Sequence, residues 1–158
     1  MSDEKELKHA QTVYSTLCNM LDEHGWHYEK HDEDLSISCA AQGDDLPIDL
    51  HVEVDMKRHL ITLLSKMPFS VAPERRAALA VAVSQANNGM VDGSFDYDYT
   101  SGRIIFRMTS SYLDSLIGKD LMVYMVMCSC KTIDDYNDKF LMVAKSEMTN
   151  EEILEFIK

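Results

Sequence analysis

Basic residues are scarce in this sequence: 15 Lys and Arg stand against 27 Asp and Glu, a formal charge of -12. Such a chain repels a phosphate backbone unless its few cations gather on one face. Along the sequence they are scattered, which argues against a nucleic-acid partner. Long apolar runs are missing as well. The longest, residues 121–128, falls far short of the roughly 20 residues a bilayer-crossing helix needs, so no membrane partner is expected. The chain opens on Asp3, Glu4 and Glu6, whereas an export signal needs a basic start and a continuous apolar stretch. Cys18, Cys39, Cys128 and Cys130 are too few for a disulfide framework at this length. They read as reduced, mostly buried thiols, in keeping with a cytoplasmic location.

Catalytic signatures are absent too. The sequence has no GxGxxG or Walker-type phosphate loop, no HExxH and no GxSxG elbow, so no cofactor and no catalytic residue is assigned. What is present is ordinary globular composition, 46% hydrophobic and 27% charged over 158 residues. A chain of that length buries roughly 70% of the surface it would expose unfolded. No linker or repeat divides it, and a single domain over residues 1–158 is expected.

Hydrophobic spacing supplies the element order. Leu7, Ala10, Tyr14, Leu17, Cys18 and Leu21 recur at helical intervals, with acidic residues in the first turn and Gly25 placed to end the helix. The period then changes to two. Trp26 and Tyr28 alternate with polar residues, and after an acidic turn so do Leu35, Ile37, Cys39 and Ala41, which predicts a hairpin. Ile48, Leu50, Val52 and Val54 alternate with Asp49, His51, Glu53 and Asp55, predicting a half-buried strand with the apolar set inward. A short fourth strand is expected over residues 60–64. Pro73 suits the first turn of a second, Ala-rich helix ending near Gly89. Phe95, Tyr97 and Tyr99, then Ile104, Phe106 and Met108, read as a second hairpin turning at Gly102. Residues 119–145 read as a long helix, bent near residues 129–132. A capping box of Thr149 with Glu152 opens a short terminal helix. The expected fold is α+β, an antiparallel sheet with flanking helices in the order α-β-β-β-β-α-β-β-α-α.

Three clusters carry potential chemistry. His27, Glu29 and His31 share one strand face and Asp49, His51 and Glu53 another; on neighbouring strands they could converge as zinc ligands of a metal-dependent enzyme. Plain alternation predicts the same residues as a solvated outer face, so no metal site is assigned. Cys128 and Cys130 are two residues apart on a helix, about 200° of rotation, so their thiols diverge and fill space. The long helix is the more informative. One buried stripe needs only part of residues 121–128, so Leu121, Met122, Tyr124, Met125, Val126 and Met127 put apolar surface on more than one side. The additional surface is either a partner-binding face for another protein or a second copy, or the inside of a helix sandwiched against the terminal one. A homodimeric small-ligand-binding protein is a further alternative.

Trp26, the Asp44-Asp45-Leu46-Pro47 lead into a strand, Asn87, Gly93-Ser94-Phe95, Asp98 and Gly102-Arg103-Ile104-Ile105-Phe106 together resemble the YbjN domain family over about residues 7–143. Its members are described as sensory transduction regulators with a type III secretion chaperone-like fold. The resemblance implies that fold and a non-enzymatic, protein-binding role, chaperone-like or regulatory, in a bacterial cytoplasm. It brings no catalytic residues with it, and a shared fold does not name a client.

Overall fold

The computed structural model describes residues 2–158. Helix α1 (Asp3–Glu23) is followed by strands β1 (Tyr28–His31), β2 (Ser36–Gln42), β3 (Pro47–Asp55) and β4 (Leu60–Ser70). A 3-10 turn (Pro73–Arg75) leads into α2 (Arg76–Asn87), then β5 (Ser94–Asp98), β6 (Arg103–Ser111), α3 (Lys119–Lys145) and α4 (Asn150–Phe156). The strands form one six-stranded antiparallel sheet in the order β1-β2-β3-β4-β6-β5. The expected α+β class and element order are those observed.

Alternation decides which face is covered. Ile37, Val52, Leu63 and Met108 are paired neighbours on one face and all are buried. Ile48, Leu50, Val52 and Val54 are inside, while Asp49 and Glu53 are exposed. The outer face runs through Glu29, Ser38, His51, Leu64, Arg107 and Ser94 in one cross-strand row. Of the paired residues on that face only Ser36 is buried. The helices therefore pack on the other side, α1 on β3, α3 across β3, β4 and β6, and α2 beside β5.

Helix α3 is the spine of this layer. Met122, Met125, Val126, Ser129, Ile133, Asn137, Phe140 and Val143 form its buried stripe at helical spacing. Phe95 of β5 meets Phe106 of β6 edge-on at 5.2 Å and Phe140 of α3 at 4.9 Å, so strands and helix share one aromatic cluster. The β2–β3 turn is tied to the same helix, because the Asp44 amide donates to Asp134 Oδ1 at 2.8 Å. Gly43 sits where a Cβ would lie 2.3 Å from the Leu46 carbonyl, which excludes any larger residue in that turn.

Edge strand β5 is closed by a side chain. Asn87, the last residue of α2, donates through Nδ2 to the Phe95 carbonyl at 2.9 Å and accepts the Phe95 N–H at 2.8 Å. The amide thus takes the place a neighbouring strand would occupy. At the other end of the sheet, Tyr14 of α1 donates to Asp32 and the Ser36 carbonyl, and Tyr28 donates to Asp22 and the Cys18 carbonyl.

Several expectations need correction. β1 starts at Tyr28, not Trp26, whose amide instead donates to the Leu21 carbonyl as the chain leaves α1. β4 runs to Ser70, past the expected end near residue 64, with an irregular register between Lys66 and Ser70 that accommodates Pro68. α3 is continuous across residues 129–132. That segment has neither Gly nor Pro, and the Ser129 hydroxyl turns inward to the Met108 sulfur at 3.9 Å. The capping box of α4 is present with both reciprocal bonds, Thr149 Oγ1 to the Glu152 amide and Glu152 Oε2 to the Thr149 amide.

Two predictions follow from this packing. Asn87→Ala leaves the Phe95 N–H and C=O without partners in a half-buried setting, and should cost about 2 kcal/mol in urea unfolding. Val52→Asp buries an unpaired charge and should cost several kcal/mol, roughly 3 or more, whereas Glu53→Gln on the outer face should change the midpoint by less than about 0.5 kcal/mol.

Candidate functional site

The six apolar residues of α3 divide into two sets. Met122, Met125 and Val126 are at most 3% exposed and belong to the core. They are therefore not available as partner surface, a correction to the reading that grouped all six; the sheet beneath α3 already covers them. Leu121, Tyr124 and Met127 are 39%, 47% and 55% exposed and lie along the outward side of the helix. The helix is covered on one side and not on the other, because its apolar circumference is wider than its contact with the sheet.

The outward stripe has an acidic rim. Tyr124 donates its hydroxyl to the Asp92 carboxylate in the α2–β5 loop, and that hydrogen bond pushes the phenol pKa above its ordinary value. Val91, adjoining Asp92 in the chain, is 93% exposed and adds apolar surface. One turn beyond Met127, Lys131 pairs with Asp135 at 2.7 Å. Met127, Cys130, Lys131 and Asp134 border a cleft against Ala41 and Ile48 of the β2–β3 hairpin. Asp44, Asp45, Asp134, Asp135 and Asp138 gather just past it, with Lys139 and Lys158 among them.

The His and acid residues of the strands lie on the outer sheet face. The Ser38 hydroxyl stands 3.4 Å from His31 Nε2 and 3.3 Å from His51 Nδ1, so β1, β2 and β3 bring the two imidazoles to one hydroxyl. His27 lies outside the paired strand and takes no part. Glu29, Ser38, Asp49, His51, Leu64 and Lys66 surround a shallow hollow of about 640 Å³ on this face. Among the described residues, no group of three or more His, Cys, Asp or Glu side chains converges to hold a metal ion. No described helix is long and apolar enough to cross a membrane.

Cys39 and Cys130 are held away from reactive ionisation. Burial pushes the Cys39 thiol up to about 11, with the neighbouring Cys130 thiol and the negative charge of Asp49 adding to it. Burial, then Asp134, pushes Cys130 up to about 11. Cys128 and Cys130 are both half-buried and neither is in a disulfide.

Sequence reasoning found the α3 segment but could not separate its two sides without knowing which one the sheet covers. It missed Val91 and Asp92, which lie in a loop with no periodic signal. The clustering of Asp44 and Asp45 with Asp134, Asp135 and Asp138 was also out of reach, being a contact between residues far apart in the chain.

The sequence matches the YbjN family, "Putative bacterial sensory transduction regulator", over residues 14–142. No curated protein matches. Among solved structures, that of "YbjN, a putative transcription regulator from E. coli" is similar, with 15% identity and a TM-score of 0.56 over 83% of this chain and 87% of that one. The "HopA1-SchA Chaperone-Effector Complex" gives 12% identity and a TM-score of 0.47, covering 86% of this chain and 97% of that one.

The thiols supply a test of this packing. A raised folded-state thiol pKa means that between about 9 and about 11 the native state holds more protons than the unfolded state. Stability should be pH-independent with respect to these groups below about 9 and should fall as pH rises toward 11. Cys39→Ser with Cys130→Ser should flatten that decline, read from urea midpoints at pH 8, 9.5 and 10.5.

Proposed function

The chain belongs to the YbjN family, and from that premise we propose that it is a non-enzymatic protein-binding factor, chaperone-like or regulatory. It acts as a single domain in the cytoplasm and receives a segment of a partner protein on the outward side of α3. The observation that carries this reading is the exposure of Leu121, Tyr124 and Met127 in one line on a helix whose opposite side is fully committed to the core. An apolar line of that kind is kept in water only at the cost of nonspecific association. The acidic rim of Asp92, Asp134 and Asp135 limits that association and selects partners with basic flanks. Tyr and Met suit such a surface, the one for rigid contact area, the other for adaptable packing. The family description as a regulator agrees with a binding role.

A photo-crosslinking residue placed at Tyr124 should capture one dominant protein in the native host. That protein, purified, should bind the wild-type chain. Leu121→Glu and Met127→Glu should each weaken binding at least tenfold with circular dichroism and melting temperature nearly unchanged, since a charge on this side penalises only the bound state. Met122→Glu and Val126→Glu should instead unfold the chain. Equal binding by wild type, Leu121→Glu and Met127→Glu would refute the α3 surface.

A further inference from the structure

On the outer face of the sheet two imidazoles lean over one strand. His31 of β1 and His51 of β3 are not paired with each other, because β2 runs between them. Neighbouring strands lie about 4.8 Å apart, yet His31 Nε2 stands 3.4 Å and His51 Nδ1 3.3 Å from the same Ser38 hydroxyl. The outward residues of β2 at this level are Ser36, Ser38 and Ala40, so nothing larger than a hydroxymethyl group rises between the two rings. The hollow of about 640 Å³ on this face opens over Ser38 and His51.

The hydroxyl is an incomplete partner for this pair. It has one hydrogen and can donate to only one of the two nitrogens, so the other imidazole must donate to it. Both contacts are longer than the ~2.7 to 3.2 Å of a well-made hydrogen bond. Two ring nitrogens from different strands that face one point are better matched to an ion that accepts a lone pair from each. Imidazole suits late first-row divalent ions, whereas Mg²⁺ and Ca²⁺ prefer oxygen. On binding, the imidazole that donates to Ser38 moves that proton to its other nitrogen, and both lone pairs then point inward.

Carboxylates occupy the adjoining positions. The cross-strand rows read Glu29, Ser38, His51 and His31, Ser36, Glu53, so each histidine has a glutamate two residues away on its own strand and on the same face. Among the described residues neither glutamate makes an ion pair, and no set of three ligands converges with the side chains as they stand. Both glutamates are exposed and can turn toward the rings. With Asp49 they set negative charge around the pair, which favours a dication. Lys66 also lines the hollow, but it lies on β4, with β2 and β3 between it and His31.

We propose that His31 Nε2 and His51 Nδ1 hold a late first-row divalent metal ion, Zn²⁺ or Cu²⁺, with water and Glu29 or Glu53 completing its coordination. The ion ties the four-residue edge strand β1, which otherwise pairs with β2 alone, to β3. The site is on the opposite face of the sheet from α3, so either reading survives failure of the other.

Calorimetry of the full chain, stripped with a chelator and titrated with ZnCl₂ in a buffer that does not bind metal, tests this. The wild type should take up one equivalent of Zn²⁺ and no Mg²⁺. His31→Gln and His51→Gln should each weaken Zn²⁺ binding at least tenfold, the loss that even an outer-shell partner causes. His27→Gln, outside the paired strand, should leave it unchanged. All three side chains reach water, so circular dichroism should not change. Zn²⁺ should slow amide exchange in β1 of the wild type, since an edge strand held on one side opens readily without it. Cu²⁺ at one equivalent should show electron-spin coupling to two imidazole nitrogens, falling to one in either single variant. Should a variant lose its fold, the wild-type copper spectrum and the β1 exchange decide. No uptake, a copper ion coupled to fewer than two nitrogens, or binding that survives both substitutions, which marks an adventitious ion only, would each overturn the proposal.

Discussion

The contact between the inner side of α3 and the middle of the sheet is the constraint on which the other features depend. A single helix lies over β3, β4 and β6, and through Phe140 and Phe95 it also reaches the edge strand β5. The β2–β3 turn is fastened to it by Asp134, the 3-10 turn before α2 by Arg75, whose guanidinium donates to the Val143 carbonyl at 2.8 Å. Remove that seating and the hairpin, α2 and the strand edge lose a common reference. Its side chains are correspondingly large and fully enclosed: Phe140, Phe106 and Met122 are among the most buried in the protein. Because one side of α3 is committed so completely, the residues on its other side contribute little to folding and are open to selection for contact.

Much of this was legible in the residues. The two-residue period of Ile48 through Val54 specified both the strand and its register, since a one-residue slip would bury Asp49 and Glu53. The Thr149 and Glu152 pair specified where α4 starts, because both halves of the box satisfy local backbone groups. What escaped was non-local. Trp26 fits a strand pattern, but its amide is drawn back to the end of α1 by a hydrogen bond that periodicity does not register. The far end of β4 is stabilised by pairing with β6, and residues 65–70 alone, with Lys66 and Pro68, look like a poor strand. The bend expected near residues 129–132 of α3 is absent: Ser129, Cys130 and Thr132 are modest helix formers, but with neither Gly nor Pro among them nothing interrupts the helix, and Ser129 is buried in its packed stripe.

The same reasoning explains why the six α3 residues could not be sorted in advance. Met122, Val126 and Met127 are equally apolar, and only the position of the sheet decides which of them water reaches. The outer sheet face is the converse case. Its residues were readable as a solvated set, yet which of its charges stand side by side depends on strand order, in which β6 lies beside β4 although α2 and β5 separate them in the chain. Charge pattern on a sheet is a property of topology as much as of composition.

The Asn87 clamp has a consequence for how the protein fails. In an antiparallel edge strand alternate residues turn both backbone groups outward, and of the two such residues in the five-residue β5, Phe95 and Tyr97, the Asn87 amide occupies the first. At Phe95 that edge is closed to another chain for as long as α2 stays in place. The opposite edge, β1, is only four residues long and offers little length for a foreign strand to grip. Full access of a foreign strand to the β5 edge is thereby tied to the displacement of one helix, which couples the packing of α2 to the protection of the sheet.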